Sequence, residues 1–372
     1  MQLRDARKVF LELVRAGLWG KEVLLAPYNE IDFVDSYKLA QEQSVVGLLA
    51  AGLEKVNDTK VSQNMALTIA GEVLQIEQRN KAMNSFIAWL IDDLRKKDVY
   101  AILEKGQGIA LCYERPLWRM CGDVDLLLSD GNYKKAKAIL TSMADKVEEE
   151  NTHTKHYAVS INDWEVELHG TLRGELFPKI DKGLDKIQED IFYGGNVRSW
   201  VNGNTQIFLP GVDNDVVFVF THILQHFFKG GIGLRQVCDW CRLLWVYKDE
   251  IDRELLRYRL FALGIETEWK AFAAMAVDSL GMPEEAMPLY SPASKWKNKG
   301  CKIMDCIFET GNFGHNRDNT FRVKGNYLSR KLTAMWRYTE EGLKHFAIFP
   351  LDSIKVWFGM MRSGLRAVIK TK

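Results

Sequence analysis

Two aspartates, Asp123 and Asp125, stand two positions apart at the start of a short apolar run. Side chains alternate between the two faces of a β-strand, so both carboxylates are predicted on one face, with α-carbons about 6.5–7 Å apart. Val124 and Leu126 would then point to the other face, toward a core. Crowded carboxylates repel each other unless cations lie between them, and hard divalent ions such as Mg²⁺ prefer oxygen ligands. A two-metal site can bind the attacking and leaving oxygens of a phosphoryl or nucleotidyl transfer.

A glycine-containing turn precedes this strand. Residues 99–103 predict another short strand, and Gly106 and Gly108 follow it. Glycine allows the backbone to approach a ligand closely, and the free N–H groups at a helix start favour a triphosphate. Lys105 could add a point charge for phosphate, with a merely solvated lysine as the alternative. The parts that phosphate transfer needs are therefore predicted on neighbouring elements.

The residues that surround these acids resemble a known family. Lys105-Gly106, Arg119 and Gly122-Asp-Val-Asp-Leu-Leu-Leu128 look like the nucleotidyltransferase superfamily of DNA polymerase β. More closely, they resemble its largely uncharacterised bacterial branch of NTP-transferase-like proteins. That superfamily has a Gly-Gly or Gly-Ser pair that opens a helix, then two acids on the next strand and a third carboxylate on a later strand. The similarity covers residues 99–170.

A later hairpin supplies the match for the third carboxylate. This match is Glu167, within residues 164–170, and its strand is expected beside the one that carries the aspartates. Glu165 competes with Glu167 because both face the same side of a strand. The resemblance favours Glu167. Farther along the chain, residues 222–226 and 234–239 resemble the helical part of the same branch.

The resemblance implies a Mg²⁺-dependent enzyme that moves an NMP from an NTP to a hydroxyl of an unknown acceptor and releases pyrophosphate, with Mn²⁺ as an alternative cation. Asp123, Asp125 and Glu167 would be both catalytic residues and metal ligands, and Glu167 would position or deprotonate the acceptor hydroxyl. The residues expected to bind the nucleotide are Lys105, Gly106, Gln107, Gly108 and Arg119. An ion pair with a carboxylate is a second interpretation of Arg119.

The sequence departs from the family pattern at the glycine pair, in a slightly longer spacing from there to Asp123, and in a third acid that is Glu rather than the more common Asp. Gln107 stands where the superfamily usually has Gly or Ser. This departure and the large helical flanks support an alternative function, a catalytically degenerate module on the same fold that senses nucleotides or binds other proteins. If the chain is an enzyme, a small molecule, a sugar or a protein is favoured as the acceptor over a long nucleic acid. The formal net charge is only +1, whereas neutralising many phosphates requires a basic surface.

Further polar residues could line the cleft that faces the acids. They are His169, His226, Arg235 and Asp239. A packed polar cluster between helices is the alternative for these residues. The spacings of His222 with His226 and of Cys238 with Cys241 could also form a zinc site. Because the two cysteines lie amid apolar residues, we interpret them as core positions in a helix.

The elements that must position these residues change in type along the chain. Residues 1–98 are predicted to be helical, with one long helix over 72–98, and residues 99–210 predict strand, helix, strand, helix and hairpin. Asn162-Asp163 would form the two-residue hairpin turn. Residues 211–372 return to helical spacing, with helices expected at 216–228, 234–247, 255–263, 269–280, 327–346 and 354–369. The expected fold is therefore α+β, a small mixed sheet embedded between N-terminal and C-terminal helical regions.

Composition limits the class of protein. The chain has 372 residues, of which 47% are hydrophobic and 27% charged, as in ordinary globular proteins. No stretch approaches the roughly 18–20 apolar residues that span a bilayer, no signal peptide is recognised, and six cysteines are too few for a disulfide scaffold. A cytoplasmic location is expected.

The basic segment 352–372 could contact a membrane, but a helix docked on the body is favoured. The loop at 311–318 contains His315, which could reach a ligand.

Overall fold

The computed structural model of the chain describes residues 2–28, 31–312, 339 and 342–370, except the side chains of 2–5 and 362–370. It confirms an α+β fold with a seven-stranded mixed sheet between helical regions. The strands are β1 (Ile102–Glu104), β2 (Asp123–Leu127), β3 (Lys146–Val147), β4 (His156–Ile161), β5 (Trp164–His169), β6 (Val197–Asn202) and β7 (Thr205–Pro210). They lie in the order β3-β4-β5-β2-β1-β7-β6.

Helices precede, interrupt and follow the sheet. Those before it are α1 (Gln2–Trp19), α2 (Phe33–Glu42), α3 (Val46–Leu53) and α4 (Gln63–Lys96). Those between strands are α5 (Gly106–Ala110), α6 (Asp130–Met143) and α7 (Pro178–Tyr193). Those after it are α8 (Val212–Lys229), α9 (Leu234–Val246), α10 (Arg253–Leu263), α11 (Glu266–Leu280), α12 (Ser294–Thr310) and a C-terminal helix (Pro350–Lys370). None of the helices in this described part of the chain has the length and apolar character needed to cross a membrane.

The pairing of the strands sets the positions of the acidic residues. β2 lies between β1, to which it is antiparallel, and β5, to which it is parallel. The predicted hairpin of β4 and β5 is confirmed, and Asn162 and Asp163 both have positive φ, as a tight two-residue turn requires. A second hairpin, β6 with β7, was not predicted and joins the sheet through a parallel contact of β7 with β1.

Apolar cores cover both faces of the sheet. Val124 and Leu126 of β2 join one core, to which α4 and α6 contribute, whereas Leu127 joins the other core, which includes α8 and α9. Because side chains alternate along β2, Asp123 and Asp125 lie on the same side of the sheet as Leu127. The two aspartates therefore face the side on which α8 and α9 pack.

The predicted helices agree with the structure except at some ends. The long helix begins at Gln63 rather than at 72, because the Ser62 side chain accepts a hydrogen bond from the Met65 N–H and caps the helix there. The short helix after β1 begins at Gly106, where positive φ allows a direct turn out of the strand. His315 lies outside the described residues, as do most of the helix expected at 327–346 and the side chains of residues 362–372.

The N-terminal helices α1 and α3 approach each other closely at glycines. A Cβ atom at Gly52 would overlap the backbone oxygen of Leu13 in α1, whereas a Cβ at Gly71 in α4 would meet nothing within 4 Å. We expect Gly52→Ala to lower the free energy of unfolding by about 1–3 kcal/mol, because overpacking forces the backbones apart. The matched variant Gly71→Ala should raise it by about 0.5–1 kcal/mol. Urea unfolding measures both, and a Gly52→Ala protein as stable as the wild type would contradict the close packing.

Candidate active site

The strand β2 presents the two predicted aspartates beside a glutamate of β5. In the parallel register Asp123 is paired with Glu165, and Asp125 is paired with Glu167. The prediction that the hairpin strand lies beside the aspartate-bearing strand is confirmed. Glu165 is exposed and outside the pocket that holds the other acids, whereas Glu167 lines that pocket. The tertiary arrangement therefore separates two glutamates that strand periodicity alone left equivalent.

The acids line a pocket between the sheet and the helices α8 and α9, which we call the acidic pocket. Its volume is about 740 Å³, including its opening to solvent. Of the residues predicted for the site, those that line it are Lys105, Gly106, Arg119, Asp123, Asp125, Glu167, His226, Arg235 and Asp239. His169 lies beside the pocket, where its imidazole contacts two of the lining carboxylates. Most of the predicted site residues are thus brought together.

Two cations compensate the charge of Asp125. The Lys105 Nζ atom lies 3.2 Å from Asp125 Oδ1, and His169 Nε2 lies 2.8 Å from the same oxygen. Burial would raise the pKa of Asp125, but Lys105 and His169 outweigh it and lower that pKa. Asp123 behaves differently, since burial and the neighbouring Asp125 charge raise its pKa to about 6. The pKa values of the two aspartates therefore shift in opposite directions, although both residues lie on the same face of β2.

Two imidazoles surround Glu167. His156 Nε2 lies 2.9 Å and His169 Nε2 3.5 Å from Glu167 Oε2. Burial would raise the pKa of Glu167, but hydrogen bonds with the two histidines outweigh it and lower that pKa. Burial would also lower the pKa of His169, yet its bonds to Asp125 and Glu167 raise it to about 10. One potential ligand atom from each of these three residues, His156, Glu167 and His169, lies within 4.8 Å of the others, close enough to share a metal ion.

A strained turn connects β1 to the pocket. Lys105 and Gly106 both have positive φ, 48° and 43°, and a Cβ atom at Gly106 would lie 3.3 Å from Cys121 Sγ. Glycine at position 106 suits this backbone conformation without the penalty that a side chain would add. The turn directs the Lys105 ammonium group to Asp125, although burial opposes its charge. The carboxylates of Asp125 and Glu104 outweigh that burial and raise the pKa of Lys105.

The side chain of Gln107 points away from the acidic pocket. Its Nε2 atom donates a hydrogen bond to the Asn80 side chain of α4, 2.8 Å away. A Cβ atom at Gly108 would lie 2.8 Å from a methyl carbon of Leu209, so this glycine packs against the sheet. Neither residue lines the pocket. The roles predicted for Gln107 and Gly108 in nucleotide binding therefore stay predictions. For Gln107, only the backbone N–H is left for such a role, because the side chain bonds to Asn80.

The wall opposite the acids contains a buried ion pair. The Arg119 guanidinium donates to both carboxylate oxygens of Asp239, at 2.9 and 2.6 Å, and the Tyr113 hydroxyl donates to the same carboxylate at 2.7 Å. Burial opposes the Arg119 charge, but Asp239 outweighs it and raises the pKa of Arg119. Arg119 therefore forms an ion pair with a carboxylate, as its second interpretation expects, and its role in nucleotide binding stays a prediction. The cysteines of α9, Cys238 and Cys241, are fully buried core residues.

Sequence reasoning missed two titratable neighbours of the site, Glu104 and His156. Glu104 of β1 pairs in register with Asp125 and is only 1% exposed, and burial raises its pKa to about 7. Its Oε1 atom has no hydrogen-bond partner among the described residues. His156 pairs in register with His169 across the β4–β5 hairpin. The hairpin turn predicts that register, but nothing local in the sequence predicts which residue of β1 lies opposite Asp125.

A comparison with protein families assigns the chain to a family. A family model described as "Uncharacterised nucleotidyltransferase" matches residues 29–281. That range includes the whole sheet and both helices of the acidic pocket. No curated protein and no solved structure matches the chain significantly.

Proposed function

Because the chain belongs to the uncharacterised nucleotidyltransferase family, we propose that it transfers an NMP from an NTP to a hydroxyl of an acceptor and releases pyrophosphate. The observation that carries this proposal is the parallel register that pairs Asp125 with Glu167, with Asp123 on the same face. This arrangement collects three carboxylates in the lining of one pocket, beside the Lys105–Gly106 turn.

The donor set suits a divalent cation. Asp123, Asp125 and Glu167 offer hard oxygen ligands, as Mg²⁺ requires, and Mn²⁺ accepts the same set. His156 and His169 add nitrogen donors next to Glu167, which favour a transition metal at that end of the cluster. When bound, the cation would neutralise the triphosphate and stabilise the charge that develops during transfer.

Other side chains of the pocket would bind the phosphates and orient the acceptor. Lys105 lies within 3.2 Å of Asp125 and would move its positive charge to a phosphate oxygen when a cation takes its place beside the acids. Glu167 would orient the acceptor hydroxyl rather than deprotonate it, because its lowered pKa makes it a weak base. The pKa of Asp123 is about 6 without a cation, so Asp123 would release its proton when it binds one.

Two measurements test this function. We expect Mg²⁺ together with an NTP to raise the melting temperature of the protein, because a ligand of the native state stabilises it by mass action. We also expect label from an α-labelled NTP to enter an acceptor in a cell extract, with release of pyrophosphate. NTP binding without any transfer would contradict the enzyme and favour the nucleotide-sensing alternative, which the departure at Gln107 supports.

Cation binding should depend on pH. Below its pKa of about 6, the Asp123 carboxyl carries a proton that must leave before a cation binds. We therefore expect the apparent Mn²⁺ affinity to fall by about tenfold per pH unit below pH 6 and to level off above it. Electron paramagnetic resonance of free Mn²⁺ at pH 5 and 7.5 measures this change. Asp123→Asn should flatten the dependence, and equal wild-type affinities at the two pH values would refute the role of Asp123.

A further inference from the structure

A second cavity lies behind the acidic pocket, between the N-terminal helices and the loop that leads to β2. We call it the N-terminal cavity, and its volume is about 660 Å³, including its opening to solvent. Its lining includes the small residues Gly17, Gly47 and Ala51 of α1 and α3. Arg119 and Arg235 line both cavities. The two spaces are therefore neighbours that share a wall of guanidinium groups.

The lining of the N-terminal cavity carries an excess of positive charge. Its acidic side chains are Glu54 and Glu114, and its basic side chains are Lys55, Arg115, Arg119, Arg235 and Arg242. Two of the arginines are already neutralised, since Arg115 pairs with Glu54 and Arg119 pairs with Asp239. Lys55, Arg235 and Arg242 then remain, against the single carboxylate of Glu114.

The two α9 arginines form no ion pair with a described carboxylate. Arg242 is 5% exposed and donates to the backbone oxygens of Cys112 and Leu18, at 2.8 and 2.6 Å. Arg235 donates to the backbone oxygen of Met120 at 2.9 Å, and its buried Nε atom has no hydrogen-bond partner within the part of the chain that the structure describes. Arg242 is therefore a buried charge without a paired carboxylate, which is costly, so an anion that enters this cavity would gain a partner there. Arg235 is only partly buried and adds a second positive charge to the lining.

Aromatic surface accompanies these charges. The Arg115 guanidinium lies 4.1 Å above the Trp118 ring, and both residues line the cavity together with Tyr113. Apolar and aromatic walls with a few convergent charged groups are typical of sites for small organic molecules.

We infer that the N-terminal cavity is the acceptor site, and that it takes a small organic anion whose carboxylate or phosphate binds Arg235 and Arg242. This inference rests on the proposed function. The acceptor hydroxyl would reach past Arg119 and Arg235 to the acidic pocket. There its oxygen would form a bond to the α-phosphorus of the NTP, the bond to the bridging oxygen would break, and pyrophosphate would leave with that electron pair. The hydroxyl proton would pass to a carboxylate of the acidic pocket.

Phenyl phosphate is a probe that combines an anion with a ring, and benzyl alcohol is its neutral counterpart. We expect saturation-transfer NMR to detect saturable binding of phenyl phosphate to the full chain and at least tenfold weaker binding of benzyl alcohol. ATP with Mg²⁺ should leave the phenyl phosphate signal in place, since it occupies the acidic pocket. Equal binding of both probes, no binding of phenyl phosphate, or its displacement by ATP with Mg²⁺ would overturn the inference.

Two variants locate the probe. Ala51→Phe fills the N-terminal cavity and should weaken phenyl phosphate binding at least tenfold, whereas Ala66→Phe, at an exposed position of α4, should not change it. Lys55→Glu reverses a charge of the lining and should also weaken binding, which keeps the test decisive if Ala51→Phe does not fold. Unaltered binding in a folded Ala51→Phe or Lys55→Glu protein would refute the site. The thermal shift with NTP and Mg²⁺ should persist in these variants, so a failed acceptor site is distinguishable from a failed nucleotide site.

Discussion

Replacement of Asp123 and Asp125 together by asparagine should reduce NMP transfer by at least about 10³-fold, because removal of even one group that stabilises developing charge typically costs about 10²–10³-fold. Both carboxylates lie on one face of β2, and both line the acidic pocket. Asparagine keeps the shape of each side chain but removes the two negative charges that a divalent cation requires. Transfer of label from an α-labelled NTP measures the loss.

The same double variant should stay folded. Above pH 6 the charge of Asp123 is unfavourable in the native protein, because burial and Asp125 raise its pKa, so its removal stabilises the fold. Asp125 has a lowered pKa and loses its contacts with Lys105 and His169, which opposes this gain. Circular dichroism and the melting temperature check the fold.

Glu165→Gln is the matched control for this experiment. Glu165 lies next to Asp123 in the β2–β5 register, but its side chain is exposed and outside the pocket. We expect this variant to transfer label as the wild type does, whereas Glu167→Gln should be strongly impaired. Full transfer by the double asparagine variant would refute the assignment of the acids, and impaired transfer by Glu165→Gln would reverse the choice between the two glutamates.

The largest effect on stability is expected at Asp239. Its carboxylate accepts hydrogen bonds from Arg119 and Tyr113, and Arg119 and Asp239 are 8% and 4% exposed. Asp239→Ala leaves the Arg119 guanidinium buried without a counter-charge, which should lower the free energy of unfolding by about 3–5 kcal/mol. Urea unfolding monitored by tryptophan fluorescence measures the change.

An exposed ion pair of similar geometry is the control. Arg173 donates two hydrogen bonds to Asp185, each of 2.6 Å, but both side chains are open to solvent. Asp185→Ala should therefore cost no more than about 1 kcal/mol. If the two alanine variants lost similar stability, burial would not be the reason for the importance of Asp239. The double variant Arg119→Met with Asp239→Leu should recover part of the loss, because it removes both buried charges together.

Local patterns predicted several of the important elements correctly. The period of two in β2 predicted that Asp123 and Asp125 share a face, and the Asn162-Asp163 turn predicted the hairpin that carries Glu167. Apolar spacing also predicted the core positions of α9, including Cys238 and Cys241. These features depend on neighbours within a few residues, and the side-chain period of a strand or helix is fixed by backbone geometry alone.

The tertiary structure alone decided which distant residues meet. The parallel register of β2 and β5 placed Glu167 inside the pocket and Glu165 outside it, and the register of β1 placed Glu104 beside Asp125. The pairing of Arg119 with Asp239 and the N-terminal cavity likewise depend on α1, α3 and α9 packing around the sheet. Such contacts join segments that are tens to hundreds of residues apart. These contacts depend on how whole helices and strands pack into a common core. The local periodicity of a single sequence does not indicate which elements pack together.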